Sequence, residues 1–112
     1  MSKFETHIRD YYADRLGIIF ECRDFGFVGY RIIGGNLDFA EFYVEPNTSY
    51  RDTFRLIRDI FAIARSHNCK YLYGCNDTTL SSYEDIKKLH KFFKLVDSGQ
   101  RDGHREIWVV EL

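Results

Sequence analysis

Proline, tryptophan and methionine each occur once in these 112 residues, and cysteine three times. With so little proline, apolar residues at 45% and aromatics at 17%, the composition excludes a disordered or low-complexity chain. Cys22, Cys69 and Cys75 are an odd number without C-x-x-C spacing, which supports neither a disulfide framework nor a zinc knuckle. They read as reduced thiols, Cys75 as a small buried hydrophobe. No apolar run approaches the roughly eighteen residues of a membrane span, and the opening MSKFETHIRD lacks an apolar leader core, so a soluble cytoplasmic chain is expected. A dominant charge is missing too. Sixteen Lys plus Arg against seventeen Asp plus Glu give a formal net charge of -1, which excludes bulk attraction to polyanions and leaves no strong nucleic-acid signal. His7, His67, His90 and His104 have no metal-ligand spacing and no G-x-S-x-G organises a nucleophile, so metalloenzyme and hydrolase readings are set aside.

What is present in quantity is large rings, ten Phe and eight Tyr. A chain of this length buries about 65% of its unfolded surface and makes one core, so one domain over residues 1–112 is expected. Phe4, Ile8, Tyr11 and Tyr12 fall at helical spacing before Gly17. Strands are expected from Ile18 to Cys22, from Phe27 to Ile33 and from Leu37 to Val44, separated by two short turns. Alternation in the third places Ala40, Phe42 and Val44 on one face and Phe39, Glu41 and Tyr43 on the other. Pro46 ends that strand, and Asn47, Thr48 and Ser49 offer N-caps for a helix from Tyr50 to about His67. One half of its wheel holds Phe54, Leu56, Ile57, Ile60, Phe61, Ile63 and Ala64. Lys70 to Cys75 reads as a buried strand, parallel to its predecessor across the helix, and Asn76 to Thr79 as a polar loop. Ser81 or Ser82 caps a last helix with Ile86, Leu89, His90 and Phe93 on one face and Lys87, Lys91 and Lys94 on another. Asp97 to Gly103 has the composition of a hairpin loop, with Arg105 to Glu111 as the return strand.

This order resembles the GNAT superfamily of coenzyme A dependent N-acyltransferases over about residues 18 to 112. The resemblance is carried by the hairpin with Gly29, the strand ending Val44-Glu45-Pro46, the long helix, the strand Lys70 to Cys75, and Leu89-His90-Lys91-Phe92-Phe93-Lys94-Leu95, which can be laid on an F-Y-x-K-x-G-F-like motif. It implies an α+β fold, a twisted mixed sheet with helices on both faces, and acetyl-coenzyme A as cofactor. The family's phosphate loop resembles [Q/R]-x-x-G-x-[G/A], whose glycines bring backbone N–H groups to the pyrophosphate at a helix N-terminus. Tyr50, Asp52 and Phe54 stand at the glycine-equivalent places here, and Lys94 stands where the last motif has glycine. The chain also resembles small phage-encoded members with eroded loops, for which host cytoplasm or virion is the expected location.

What the resemblance implies for individual residues is specific. Glu41 takes the place of the strand carboxylate that acts as base, and Tyr83 or His90 the place of the acid that protonates the leaving thiolate. The backbone of Phe42, Tyr43 and Val44 would bind the pantetheine arm, with Asn76 beyond it, while Thr48, Ser49 and Arg51 would replace the lost glycines at the phosphates. Each has a plainer explanation by residue type: a solvated strand face for Glu41, a satisfied core histidine for His90, an N-cap and an exposed Arg at 48, 49 and 51. The surface of Lys87, Lys88, Lys91 and Lys94 is a solvated helix face or meets an anionic partner. Two functions therefore stand, an N-acetyltransferase acting on a protein or small-molecule amine and a non-catalytic binding or structural module that binds a protein partner.

Overall fold

The computed structural model describes Phe4 and residues 17–112. The helix expected from Phe4 to Arg15 lies outside the described residues, apart from Phe4 itself. Strands β1 (Ile19–Arg23), β2 (Gly26–Ile33) and β3 (Asn36–Val44) form an antiparallel meander. Helix α1 (Tyr50–Ser66) follows, then β4 (Tyr71–Asp77), helix α2 (Tyr83–Phe92), β5 (Val96–Asp102) and β6 (Arg105–Glu111). The six strands make one sheet in the order β1-β2-β3-β4-β6-β5, antiparallel except where β3 meets β4. Gly34 and Gly35, with φ of 57° and 79°, make the two-residue turn between β2 and β3, in the left-handed region that glycine enters without steric cost.

The half-apolar wheel of α1 settles where the core lies. Leu56, Ile57, Ile60, Phe61 and Ala64 are buried against Val28, Leu37 and Leu72 of the sheet. Ser49 caps the helix by accepting from the Asp52 N–H at 3.1 Å, and the Asp52 carboxylate sits where the helix dipole favours it. Both helices end in the same way. Asn68 (φ 57°) and Lys94 (φ 68°) take the left-handed position, and the N–H groups of Cys69 and Leu95 reach back to the carbonyls of Ala64 and His90. Lys94 thus occupies the conformation for which the family motif has glycine, and Leu95, anchored by it, is buried.

The two described helices share one face of the sheet, because the Phe61 and Phe93 rings stack at 5.4 Å and Phe54 stacks on Phe92 at 4.3 Å. On the opposite face Phe4 packs its ring against Phe27 and Tyr43.

Three expectations need correction. Glu41 pairs with Gly29 while Phe39 pairs with Tyr30, so Ala40 is an extra residue, a β-bulge, and the alternation changes phase there. Phe39 therefore joins Phe42 and Val44 against the core instead of lying with Tyr43. Asn76 and Asp77 continue β4 instead of opening a loop, since β6 pairs with β4 as far as Asp77↔Arg105. The polar tract Asp97 to Gly103 is mostly strand β5, a fully exposed edge held by four pairings to β6 and by the Ser98 hydroxyl donating to the Ile107 carbonyl at 2.6 Å.

Candidate functional site

Strands β3 and β4 pair in parallel for only three residues, Asn36↔Tyr71, Leu37↔Leu72 and Asp38↔Tyr73. Beyond Asp38 no strand among the described residues takes up the β4-facing edge of β3, where the N–H and C=O groups from Phe39 to Val44 on that side could take another partner. The bulge at Ala40 sits where the strands part, and bulges of this kind bend the strand that carries them.

A cavity opens on each face at this gap. The one on the helix side, about 460 Å³, is bounded by Phe39 to Phe42 of β3, Cys75 to Asp77 of β4, and the inner faces of both helices. The one on the opposite face, about 610 Å³, is lined by polar groups that include Arg31, Asp38, Tyr73 and Asp102. Phe39, Ala40, Glu41, Cys75 and Arg105 border both, so the two cavities meet the same stretch of β3 and β4 at the gap. Alternation assigns the faces: buried Leu72, Gly74 and Asn76 look toward the helices, and Tyr73 and Cys75 look away.

The structure brings four candidate residues together at the helix-side cavity: Glu41, Phe42, Asn76 and His90. Glu41 is exposed, shares the face of Tyr43 by its register with Gly29, and borders both cavities. Asn76 is 2% exposed, and its Nδ2 donates to the Tyr83 carbonyl at 3.2 Å. The His90 ring lies over Gly74, where an added Cβ would stand 2.6 Å from Nε2, and tilts against Trp108 at 5.3 Å. Its Nδ1 is buried without a hydrogen-bond partner, and burial pulls the imidazole down to about 4 against a smaller upward pull from Glu106. His90 is therefore a neutral ring at pH 7.

Tyr83 does not border the cavity. Its hydroxyl donates to Glu106 at 3.0 and 3.1 Å, and desolvation, followed by that bond, raises the phenol above its ordinary range. Glu106, only 8% exposed, also accepts from Trp108 Nε1 at 3.1 Å. Nothing in the sequence marked this carboxylate, since it sits in a strand between Arg105 and Ile107. Its one sequence cue is alternation with Trp108, which puts both on the buried face. Cys75 is half-buried at the gap, and burial raises its thiol, so it stays protonated.

The remaining candidates lie apart. Tyr43 points its ring to the opposite face, and Val44 packs on the core. Thr48 Oγ1 donates to the Glu45 carbonyl at 2.6 Å, and Ser49 is occupied as the N-cap. Arg51 is exposed in the first turn of α1. Among the described residues, no cluster of three or more His, Cys, Asp or Glu could hold a metal ion, and no helix is long and apolar enough to cross a membrane.

No family model matches the sequence, and no curated protein matches it. Solved structures do. A PaiA N-acetyltransferase from Thermoplasma acidophilum, in complex with coenzyme A, superposes with a TM-score of 0.74 at 13% identity, over 98% of this chain and 72% of that one. A putative GNAT-family acetyltransferase from Desulfovibrio desulfuricans gives 0.68 at 16% identity, over 95% and 75%. A putative acetyltransferase from Agrobacterium tumefaciens gives 0.59 at 17% identity, over 99% and 91%. With the parted β3 and β4 and the crossover helix between them, these likenesses establish that the chain has the fold of the GNAT acetyltransferases.

Proposed function

We propose that the chain is an N-acetyltransferase that uses acetyl-coenzyme A and transfers the acetyl group directly to an amine. The observation that carries this reading is the gap between β3 and β4, which has a cavity on each face and Glu41 on the border of both. When bound, coenzyme A supplies an acyl group activated as a thioester. The free edge of β3 at Phe42 to Val44 fits the amides of its pantetheine arm, and the apolar walls from Ile57, Phe61 and Leu89 keep water from the thioester. An amine entering from the opposite face arrives as an ammonium ion. Glu41 takes one proton from it, directly or through water, and hands it to solvent. A carbon–nitrogen bond then forms as the carbon–sulfur bond breaks, and the second nitrogen proton leaves with the sulfur as thiol. Neutral His90 serves best as a hydrogen-bond donor toward the thioester oxygen, since a ring with so low a pKa is a poor proton carrier at pH 7. Tyr83 and Glu106 position the wall behind it. Protonated Cys75 is a poor nucleophile, which favours direct transfer over an acyl-cysteine.

One observation favours the rival reading of a non-catalytic module. At the phosphate end the Thr48 and Ser49 oxygens are already engaged, and the Phe54 ring, stacked on Phe92, stands between α1 and α2. Only Arg51 is left to attract phosphate there. Calorimetric titration with acetyl-coenzyme A separates the two. Saturable heat is expected, weakened about ten- to a hundredfold by Arg51→Ala, the range for a charged hydrogen bond. Glu41→Gln is expected to slow transfer with binding nearly intact. No heat and no thermal shift at millimolar acetyl-coenzyme A would end the enzyme reading.

A further inference from the structure

The cavity on the face away from the helices has a charge pattern that restricts what enters it. Arg31 of β2 pairs directly with Asp38 of β3, and Asp38 with Tyr73 of β4, so all three side chains stand on this face in one row. Glu41 lies two pairings further along the sheet, because the bulge at Ala40 adds a residue without a step on β2, about 7 Å at the usual rise of a strand. Asp102 and Arg105 face each other across the β5–β6 turn and line the same cavity. Among the described residues none of Arg31, Asp38, Glu41, Asp102 or Arg105 forms an ion pair within 4.0 Å. Three carboxylates and two guanidinium groups thus line one cavity with their charges uncommitted.

Water satisfies these groups in the free protein, and a ligand that displaces it must replace that solvation with opposite charge or leave a charge desolvated and unpaired. A polyamine places positive charge against both guanidinium groups. A dicarboxylate or phosphate meets three carboxylates. A neutral hydrophobic amine answers neither set. A molecule with an ammonium group at one end and a carboxylate at the other answers both, with a guanidinium fork gripping the carboxylate.

We infer that the acceptor is a small zwitterion, an amine that also carries a carboxylate, with its nitrogen at Glu41 beside the gap and its carboxylate on Arg31. This rests on the acetyltransferase reading for its chemistry, but not for its binding. The separation of Arg31 from Glu41 along the sheet favours an amino group remote from the carboxylate. Arg105, at the gap itself, is the second guanidinium that a longer acceptor passes.

The test is a binding series on the intact chain without cofactor, followed by NMR and calorimetry. The probes are glycine, 4-aminobutyrate and 6-aminohexanoate, each beside its amide and the amine of equal length lacking the carboxyl, with spermidine as the polycationic control. At least one amino acid is expected to bind tenfold or more tightly than its amide and its simple amine, and Arg31→Gln to reduce that preference to below threefold. Amides binding as well as the acids, spermidine binding better than either, no binding by any probe, or an unchanged preference in Arg31→Gln would each overturn the inference. Acetyl-coenzyme A is titrated separately. Binding of the cofactor without zwitterion preference removes this inference alone, whereas zwitterion preference without cofactor binding removes the enzyme reading and leaves the cavity assignment standing.

Discussion

The His90 ring makes a stability claim that can be measured without knowing any substrate. In the unfolded chain the imidazole takes its ordinary value of 6.5, and in the fold burial lowers it to about 4. Above pH 6.5 the ring is neutral in both states and contributes no pH dependence. Between 6.5 and 4 the unfolded chain binds a proton that the folded chain refuses, so stability falls as the pH falls. Below about 4 both states are protonated and the loss is complete. At about 1.4 kcal/mol per pH unit the interval amounts to at most about 3 to 4 kcal/mol, which is a large share of the stability of a domain this size.

The assay is urea unfolding of the wild type and of His90→Leu at several pH values from 7 to 4. Exposed carboxylates such as Asp77 and Asp97, lowered by hydrogen bonds from Thr79 and by the Arg101 partner, also weaken the fold in acid. They do so equally in both proteins and cancel in the difference. The expected result is that the wild type loses about 2 to 3 kcal/mol more than the variant over that range. At pH 7 the variant is expected to be no less stable, because it removes an Nδ1 that is buried without a partner, a group that costs about 1 to 3 kcal/mol. Parallel pH curves for the two proteins would refute the burial of a neutral imidazole beside Trp108.

The other tests are shorter. Gly74→Ala places a Cβ 2.6 Å from His90 Nε2 and 3.3 Å from Leu95; it should cost about 1 to 3 kcal/mol and move the His90 titration, followed by NMR, upward toward 6.5 as the ring is displaced. Lys94→Gly should stabilise the protein by about 1 kcal/mol in denaturant melts, because φ of 68° is strained for lysine and free for glycine; no gain would deny the left-handed helix end. Ile60→Ala, at a fully buried site, should cost about 2 to 5 kcal/mol while exposed Arg58→Ala changes stability by less than about 0.5 kcal/mol; equal losses would mean that α1 packs by another face.

Element order, the parallel pairing across α1 and the buried face of that helix were legible because each rests on a period sustained over many residues. The face of Phe39 was not, because a β-bulge adds one residue without any signature in the letters around Ala40, so an alternation that is right for Glu41 to Val44 is out of phase before the bulge. Strand β5 was hidden for a different reason. A fully exposed edge has no apolar face to alternate with, so Asp97-Ser98-Gly99-Gln100 shows its turn chemistry and not its pairing. The candidate site was half legible. Glu41, Phe42, Asn76 and His90 do border one cavity, but the role of Glu106 depends on its bond to Tyr83, 23 residues away in the chain.

If the chain is the acetyltransferase proposed above, the altered loop before α1 and the gap between β3 and β4 bear on different quantities. Contacts to the nucleotide end of coenzyme A are the same before and during the reaction, so their loss raises KM and leaves kcat in place. On that same reading, contacts at the gap would form where the bond is made and would govern kcat. Glycines missing at Tyr50, Asp52 and Phe54 therefore do not by themselves argue against catalysis. The Phe54–Phe92 stack is the more demanding feature, since its rings, 4.3 Å apart, must part or be bypassed for a long cofactor to pass between α1 and α2. Phe92 is half exposed, so moving its ring forfeits only the part of its burial that the stack supplies. A face-to-face aromatic contact is worth about 0.5 to 1.5 kcal/mol beyond that burial. That is within the reach of one cofactor hydrogen bond to a charged group, which makes the stack an obstacle to affinity and not a closed door.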